Sequence, residues 1–426
     1  MNRFKGKKLL LLGGVRPACE IIREAQSMGV ETFVTDYIEN SPAKEIAEHS
    51  YMVNALDVDG VAELCNKEKI DGVITGYVDM LLPYAQQICE KINKPFWGNA
   101  ENIDMSINKE KFKSACEKSG VQVVPWKIAT RDNYNEVLTD IVPPVVIKPV
   151  DNSGSRGVFK CYEADMLKEY AEKALAYSKC GEILIEKAMN PHCEFSVYYM
   201  LNHGECYLTG MGDRYVNITD TEIAPVGQGM LFPSIHLGEW IEKMDSSVRK
   251  FFKDNDMNDG FIFVQGFFEN QNFYIHEIGY RLNGGFSYKI IDHFSKYNQI
   301  KELIKFSLTG DMDKEEIKKS NPFFDGYGMI ITATLKPGTI CNVSGIEEIE
   351  KENGILQFCQ LHNIGEELTS RGTTAQVFAY ILCATKTKEE MQRLINIISD
   401  KLIITGIDGL NMLNPIIDPS RIIFER

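Results

Sequence analysis

The stretch Tyr274-Ile275-His276-Glu277-Ile278-Gly279-Tyr280-Arg281-Leu282-Asn283-Gly284-Gly285 is an apolar strand that ends on a carboxylate and runs into a glycine-rich turn. Twelve residues before Glu277, Gln265 stands in a second apolar run at 260–268. Two neighbouring strands that each place one oxygen ligand at the same depth suit Mg²⁺. Arg281 follows that position and is suited to holding a phosphoryl or carboxylate oxygen. The stretch therefore predicts nucleotide-dependent group transfer.

The composition is that of a multidomain globular protein. At 426 residues the chain exceeds one ordinary core, and roughly two to four domains are expected. Its hydrophobic content of 44% and charged content of 25% are typical of soluble proteins. The net charge of −14 argues against nucleic-acid and membrane partners. A polyanion such as ATP would need a local cluster of cations.

The cysteines indicate a reducing compartment. Eleven are scattered along the chain, and none are two to four residues apart, which argues against a zinc site and a disulfide framework. This distribution predicts a cytoplasmic protein. The apolar run before Gly13-Gly14 holds four leucines and is too short for a signal peptide or a membrane span.

The N-terminal region alternates strands and helices. Strands are predicted at 9–12, 32–35 and 72–75, with helices from Ala18 to near Gly29 and over about 80–92. This alternation predicts an open parallel α/β sheet over residues 1–105. Gly13-Gly14 lacks the third glycine of a dinucleotide fingerprint, so a tight strand-to-helix turn is favoured. Asp36 is interpreted as a loop cap.

The remaining chain divides by pattern at about residue 320. Residues 106–320 mix helices with strands, and 194–277 read as antiparallel strands with one helix around 238–255. Alternation at 329–335 and a capping-box spacing at Thr387 and Glu390 predict a small α+β domain over 321–426. The predicted fold class is a multidomain combination of α/β and α+β.

A second group of residues has the composition of a phosphate site. Lys148 ends an apolar strand, and the following loop, with Ser153, Gly154, Ser155 and Gly157, leaves backbone N–H groups free to approach a ligand. It is not a Walker A loop, because no Gly-Lys-Ser/Thr follows. Taken alone, the loop is interpreted first as a flexible hairpin tip and second as a phosphate site.

The ordered set of these residues resembles the ATP-grasp superfamily of carboxylate–amine (or thiol) ligases over residues 1–320. The segment 321–426 resembles the C-terminal domain of bacterial L-amino acid ligases. The resemblance implies an ATP-grasp domain over 106–320 with a mobile lid at about 123–188, and ATP with Mg²⁺ (or Mn²⁺) as cofactors. It also implies small carboxylate and amine substrates and a homodimer.

The resemblance implies a role for each matched residue. Lys109, with Lys111 as the alternative, would reach the α-phosphate side, and Lys148 the α and β phosphates. The loop from Ser153 to Gly157 would close over the β and γ phosphates. Arg281 would steady the transferred phosphoryl group. The other implied contacts are adenine at Glu186, Lys187 and Ala188, ribose at Glu194, and the metal at Gln265 and Glu277.

The chain departs from the family pattern at the metal. The first ligand position is usually Glu and is Gln265 here, and the third is usually Asn and is Gly279 here. Asn283 or water would take the third ligand position. Asn283 is also assigned, with Arg281 and Lys148, to the catalytic group. Specificity is expected from the segments Gly76-Tyr77, Arg214-Tyr215 and Gly284–Phe286.

The predicted activity is an ATP-dependent ligase that forms an amide through an acyl phosphate. One alternative is a carboxylase or carbamoyl-phosphate-like enzyme that uses bicarbonate as the acid. A nonenzymatic nucleotide-binding protein is another, because Gly279 offers no ligand. A nicotinamide-dependent module is the most distant reading.

Overall fold

The computed structural model describes residues 4–151, 157–216, 226–369 and 374–424. The strands in these ranges are β1 (Lys8–Leu12), β2 (Glu31–Thr35), β3 (His49–Tyr51), β4 (Gly72–Thr75), β5 (Trp126–Thr130), β6 (Val145–Pro149), β7 (Phe159–Cys161), β8 (Glu182–Lys187), β9 (Glu194–Asn202), β10 (Glu205–Val216), β11 (Gly227–Phe232), β12 (Gly260–Glu269), β13 (Asn272–Gly279), β14 (Tyr327–Thr334), β15 (Gly338–Ser344), β16 (Ile355–Gln360), β17 (Glu367–Leu368), β18 (Val377–Thr385) and β19 (Ile403–Gly406).

The α-helices in the same ranges are α1 (Cys19–Ser27), α2 (Pro42–Ile46), α3 (Val58–Glu68), α4 (Leu82–Lys91), α5 (Ala100–Ile107), α6 (Lys109–Lys118), α7 (Tyr134–Val137), α8 (Leu167–Tyr177), α9 (Leu237–Lys243), α10 (Asp245–Asp254), α11 (Ser287–Ser295), α12 (Gln299–Thr309), α13 (Lys314–Ile317), α14 (Ile346–Glu350) and α15 (Lys388–Lys401). No helix within the described residues is both long and apolar enough to cross a membrane.

The N-terminal sheet is parallel, with strand order β3-β2-β1-β4. Leu9 to Leu12 of β1 are buried on both faces, as a parallel strand between helices requires. The carboxyl ends of β1 and β4 meet at one edge, where ligands of such sheets bind. Asp36 accepts hydrogen bonds from the N–H groups of Gly14 (2.6 Å) and Ile38 (2.9 Å), which confirms its interpretation as a loop cap.

Two further sheets enclose the space that matters for function. The lid sheet is antiparallel, with order β5-β8-β6-β7, and α8 packs on it. The central sheet has order β13-β12-β9-β10-β11-β14-β18-β16. It connects to the lid sheet where the Val124 N–H donates to the Ile275 carbonyl at 2.9 Å. The expected mixture of a parallel N-terminal sheet and antiparallel sheets is confirmed.

The central sheet continues across residue 321. β14 pairs with β11 in antiparallel register, so the C-terminal segment supplies three strands to a sheet that begins in the middle of the chain. That segment also has an apolar cluster of its own, in which α15 packs on β18. The proposed boundaries at 105 and 320 stay predictions.

Two local predictions have clear outcomes. The capping box of α15 is present, because Thr387 Oγ1 accepts from the Glu390 N–H and the Glu390 side chain accepts from the Thr387 N–H. The single helix expected around 238–255 is wrong: α9 and α10 are separated at Met244, where the backbone leaves the helical region.

Candidate active site

Three strands of the central sheet align one polar side chain each in a single row. Ser196 of β9, Gln265 of β12 and Glu277 of β13 are directly opposite one another in register, so their side chains share a face. A β-bulge follows at once, because Gly266 pairs with Ile275 and leaves His276 as an extra residue. The bulge lets His276 and Glu277 both reach the site.

Gln265 and Glu277 suit a hard divalent cation. The Gln265 Nε2 donates to Ser196 Oγ at 3.2 Å, which leaves its Oε1 as the free ligating atom. The Glu277 carboxylate lies on the neighbouring strand at the same level. Oxygen ligands of this kind are what Mg²⁺ takes, together with substrate phosphates and water. Within the described ranges, neither this site nor any other holds a cluster of three or more His, Cys, Asp or Glu that could bind a metal.

A phenylalanine ring fills the place beside Gly279. Phe263 is the cross-strand partner of Gly279, and a Cβ added to Gly279 would lie 2.1 Å from Phe263 Cζ. A side chain at 279 is therefore incompatible with the ring as it stands. The same ring carries the Arg281 guanidinium, whose Cζ lies 5.2 Å from the ring centroid, a cation–π contact.

Arg281 is held by a carboxylate from the N-terminal sheet. Its Nε donates to Asp79 Oδ1 at 2.6 Å and its Nη2 to Asp79 Oδ2 at 2.5 Å, while Nη1 donates to the Leu282 carbonyl at 3.0 Å. Asp79 follows β4 at the carboxyl edge of the parallel sheet. The paired hydrogen bonds to Asp79 fix the direction of the guanidinium. A substrate anion would bind the remaining N–H groups of Arg281 or displace Asp79.

The lid sheet and α6 bury three charges together. Glu186 Oε2 lies 2.6 Å from Lys148 Nζ, and Glu186 Oε1 lies 2.7 Å from Lys113 Nζ. Burial opposes ionisation of Glu186, but the two ammonium groups outweigh it and lower its pKa to about 2. Burial lowers the pKa of Lys113, and the Glu186 carboxylate opposes that shift. Glu186 therefore holds Lys148 in place.

Lys109 is influenced electrostatically by residues of both the lid sheet and the central sheet. It begins α6, where a cation is disfavoured by the helix dipole unless an anion binds there. Burial lowers its pKa; Glu277 of the central sheet raises it, and Lys148 of the lid sheet lowers it further. Charged residues of both sheets therefore act on the pKa of Lys109. The alternative, Lys111, is exposed and pairs with Asp104 on the surface.

Lys187 and Ala188, at the end of the lid strand β8, use their backbone N–H groups in hydrogen bonds within the protein. The Lys187 N–H donates to the Pro125 carbonyl at 2.9 Å, and the Ala188 N–H donates to the Pro144 carbonyl at 3.0 Å. A backbone contact of these two residues with adenine would therefore use their carbonyl groups. The Lys187 side chain is exposed, with Nζ 3.8 Å from Glu269.

Glu194 is the first residue of β9, and its carboxylate already has an arginine partner. Both of its oxygens accept from Arg214 Nη1, at 2.6 and 2.5 Å. His276 Nε2 is 4.0 Å from Glu194 Oε1 and makes no hydrogen bond within the described residues. Burial lowers the pKa of His276 to about 3, and the nearby Lys148 acts in the same direction. A ribose hydroxyl would have to share Glu194 with Arg214.

The remaining predicted residues are dispersed. Asn283 Oδ1 accepts from the Gly285 N–H at 2.7 Å and so supports the turn after Arg281. Gly157 has φ +76°, and a Cβ there would lie 2.7 Å from Tyr177 Cβ. Tyr77 is buried, with its hydroxyl 2.9 Å from that of Tyr288. The Tyr215 hydroxyl accepts from the Ile423 N–H, away from this space. Ser153, Gly154 and Ser155 lie outside the described residues.

Three contributing residues were missed from the sequence: Lys113, Asp79 and Phe263. Lys113 is four residues after Lys109 and so shares its helix face, a signal that the spacing does contain. Asp79 follows the strand 72–75 by four residues, at the carboxyl edge where parallel sheets bind ligands. Phe263 carries no polar signal, and only the strand register shows that it meets Gly279.

Parts of this chain are similar in sequence to known proteins. Residues 108–209 match the family model for the ATP-binding domain of the carbamoyl-phosphate synthase L chain. The formate-dependent phosphoribosylglycinamide formyltransferase of Maridesulfovibrio salexigens is 31% identical over 178 residues, which cover 41% of this chain and 44% of that protein. The chain spans about half the length of the curated relatives it matches.

Solved structures share the fold over nearly the whole chain. The L-amino acid ligase from Bacillus licheniformis superposes with a TM-score of 0.78 at 18% identity, covering 94% of this chain and 99% of that one. Phosphoribosylglycinamide synthetase from Anaerococcus prevotii gives 0.73 at 17% identity, with the same coverage of 94% and 99%. The likeness over nearly the whole chain confirms the predicted fold.

Proposed function

We propose that this ATP-grasp chain is an ATP-dependent ligase that joins a small carboxylate to an amine, releasing ADP and phosphate. The observation that carries the proposal is the meeting of two charged walls near Lys109. The lid wall consists of Lys148 and Glu186, and the central wall consists of Gln265, Glu277 and Arg281. A triphosphate between these walls would lie among cations and one metal seat.

The chemistry needs activation of the carboxylate, because an amine attacking it directly would have to expel an oxide. A carboxylate oxygen attacks the γ-phosphorus of ATP, the bond to the β–γ bridging oxygen breaks, and ADP leaves. The amine nitrogen then attacks the acyl carbon of the acyl phosphate. The carbon–oxygen bond to phosphate breaks and the nitrogen loses a proton, which gives the amide and inorganic phosphate.

The protein contributes position and charge rather than covalent bonds. In the proposed roles, Lys109 and Lys148 neutralise the phosphates, and Arg281 holds the transferred phosphoryl group and the acyl phosphate. Each opposite-charge contact at about 4 Å is worth about 4 kcal/mol at an effective dielectric of about 20. Several such contacts would outweigh repulsion from a chain of net charge −14.

Gln265 and Glu277 are the residues that would hold Mg²⁺ in this site, with Mn²⁺ as a second ion of suitable ligand preference. When bound, the ion supplies further neutralisation of phosphate charge. The protein contributes one carboxylate and one neutral amide, since the ring of Phe263 fills the place beside Gly279. Most of the affinity for the ion would then come from the nucleotide.

A screen for phosphate release over pairs of carboxylic acids and amines, with mass spectrometry of the products, tests this function. The expected result is ATP-dependent release that needs both members of a pair and yields a product lighter than their sum by one water. Release of ADP with bicarbonate and no amine would instead identify a carboxylase. ATP binding without phosphate release on any pair would contradict ligase activity and indicate nucleotide binding alone.

Two wider features belong to the same proposal. A homodimer is proposed from the family resemblance, and light scattering of the purified chain would measure it. A cytoplasmic location is proposed from the scattered cysteines, which are all free within the described structure.

A further inference from the structure

A cleft of about 340 Å³ separates the beginning of α1 from the edge strand β16. It lies at the junction of the N-terminal sheet, the C-terminal segment and the turn that follows Arg281. The side chains used below are Arg16, Glu20, Arg23, Gln357 and Phe286, all of which line it. Its volume is at the lower end of the roughly 300–1,000 Å³ of small-molecule pockets. The cleft therefore suits a small ligand.

Arg16 supplies an uncompensated cation to this cleft. The residue begins the short 3-10 turn before α1 and is half-buried. Its guanidinium forms no ion pair or hydrogen bond with any residue that the structure describes, whereas Arg23, seven residues further on, has its Nη1 3.8 Å from Glu20 Oε1. A guanidinium partly removed from water favours an anionic partner, and its planar fork matches a carboxylate or a phosphate.

The polar side chains that line the cleft near Arg16 include a closed set of contacts. Lys289 Nζ donates to Glu20 Oε2 at 2.8 Å and to Gln357 Oε1 at 2.7 Å. Gln357 Nε2 donates to Glu20 Oε1 at 3.0 Å, which completes a triangle of residues from three parts of the chain. Glu20 is therefore committed to Lys289, and the positive charge of Arg16 is left for a ligand.

Phe286 connects the cleft with the proposed reaction centre. Its φ of +63° places a bulky aromatic residue in the left-handed region, where strain is retained mainly at functional sites. Tyr380 and Tyr288 hold the ring, with centroids at 5.7 and 6.1 Å. Phe286 is the fifth residue after Arg281, so their Cα atoms lie within about 18 Å.

We propose that this cleft binds the amine substrate and that Arg16 holds a carboxylate or phosphate group of that substrate. The assignment of the ligand as a substrate depends on the proposed ligase function. In this arrangement the amine points along Phe286 towards Arg281, where the acyl phosphate forms. Amines with an anionic tail, such as amino acids, are then preferred over neutral amines.

Calorimetric titration of the full chain without ATP tests the site independently of turnover. The probes are L-alanine and β-alanine as carboxylate amines and O-phosphoethanolamine as a phosphate amine, with L-alaninamide and ethanolamine as their neutral counterparts. At least one anionic probe is expected to bind, and its neutral counterpart to bind about ten- to a hundredfold more weakly. Which anionic probe binds distinguishes a carboxylate from a phosphate tail.

The variant Arg16→Gln is expected to raise the Kd of that probe by about ten- to a hundredfold. Arg393→Gln is the matched control, because Arg393 is an exposed arginine paired with Glu352 at 2.9 Å on the C-terminal segment, and its Kd should stay at the parent value. Thermal melting of both variants verifies that they fold.

Three outcomes would overturn the site: equal Kd values for anionic and neutral probes, an unchanged Kd in Arg16→Gln, or no binding of any probe. Absence of phosphate release together with binding that depends on Arg16 would reject the ligase activity and leave the site intact. The two failures are therefore distinguishable.

Discussion

The two walls of the candidate active site hold their charges in different ways. On the lid wall, Glu186 is buried and shared between Lys148 and Lys113, so the charges are compensated inside the protein. On the central wall, Arg281 pairs with Asp79, which is 28% exposed and lies in the turn that follows β4 of the N-terminal sheet. The difference indicates that the lid wall is fixed by buried charges, whereas the central wall depends on a partly exposed contact between two parts of the chain.

The largest expected effect is on the lid wall. Glu186→Gln leaves Lys113, which is 0% exposed, with an uncompensated charge, and should lower the free energy of unfolding by about 3–5 kcal/mol. Urea unfolding measures this. Glu169→Gln, which breaks an exposed helix pair with Lys173, is the control and should cost less than about 1 kcal/mol.

The same residue gives the lid wall a pH dependence. The folded pKa of Glu186, about 2, is below its ordinary value of 4.5. Its contribution to stability is therefore fully present above pH 4.5 and is lost as the pH falls through about 2. The loss of stability in this window should be shallower in Glu186→Gln. An unfolding free energy equal to that of the parent at neutral pH would contradict the fixed lid wall.

The next effect compares one cation from each wall. Lys148→Ala leaves Glu186 paired with Lys113, and Arg281→Ala leaves a partly exposed Asp79, so both variants should fold. Each should lower kcat by about 10²–10³, the scale for losing one preorganised electrostatic donor. Steady-state kinetics on a substrate pair from the screen provides the measurement. Turnover within a few fold of the parent would rule out the role of that cation.

The proposed metal site allows the contributions of Gln265 and Glu277 to be compared. Glu277→Ala removes the charged ligand and should raise the Mg²⁺ concentration for half-maximal nucleotide binding by roughly tenfold or more, whereas Gln265→Ala removes a neutral ligand and should raise it less. Calorimetric titration of Mg²⁺ at fixed ADP measures both. An unchanged titration in Glu277→Ala would place the metal elsewhere.

The smallest expected effect concerns the ring that replaces a third ligand. Gly279→Asn forces the Phe263 ring to move and should destabilise the fold by about 1–3 kcal/mol. Combined with Phe263→Leu, the cost should fall below the sum of the single variants, with a coupling of about 0.5–3 kcal/mol. Additive costs in urea unfolding would show that Gly279 and Phe263 are independent.

Periodicity and turn residues were enough to predict the regular elements. The strand 72–75 and the helix beginning at Lys109 agree with β4 and with the first residue of α6. The break at Met244 between α9 and α10 was not predictable, because the apolar spacing continues through it and no glycine or proline marks it. The join of β14 to β11 depends on pairing between distant segments, which local pattern does not encode.

Lys148 and Glu277, both predicted as site residues from the sequence, lie on the two sheets that enclose the candidate site. The site was not predictable where a role depends on a partner. Glu186, expected beside adenine, is also the counter-charge of two lysines. Asn283, expected to ligate or catalyse, also supports a turn through its Oδ1. The roles of these residues towards ATP stay predictions.

The most direct measurement is a calorimetric titration of the full chain with a nonhydrolysable ATP analogue, with and without Mg²⁺, in the parent, Lys148→Ala and Arg393→Gln. The two-wall account predicts binding that requires Mg²⁺, that weakens by roughly tenfold or more in Lys148→Ala, and that is unchanged in Arg393→Gln. Absence of binding in the parent, or equal affinity in Lys148→Ala, would contradict it.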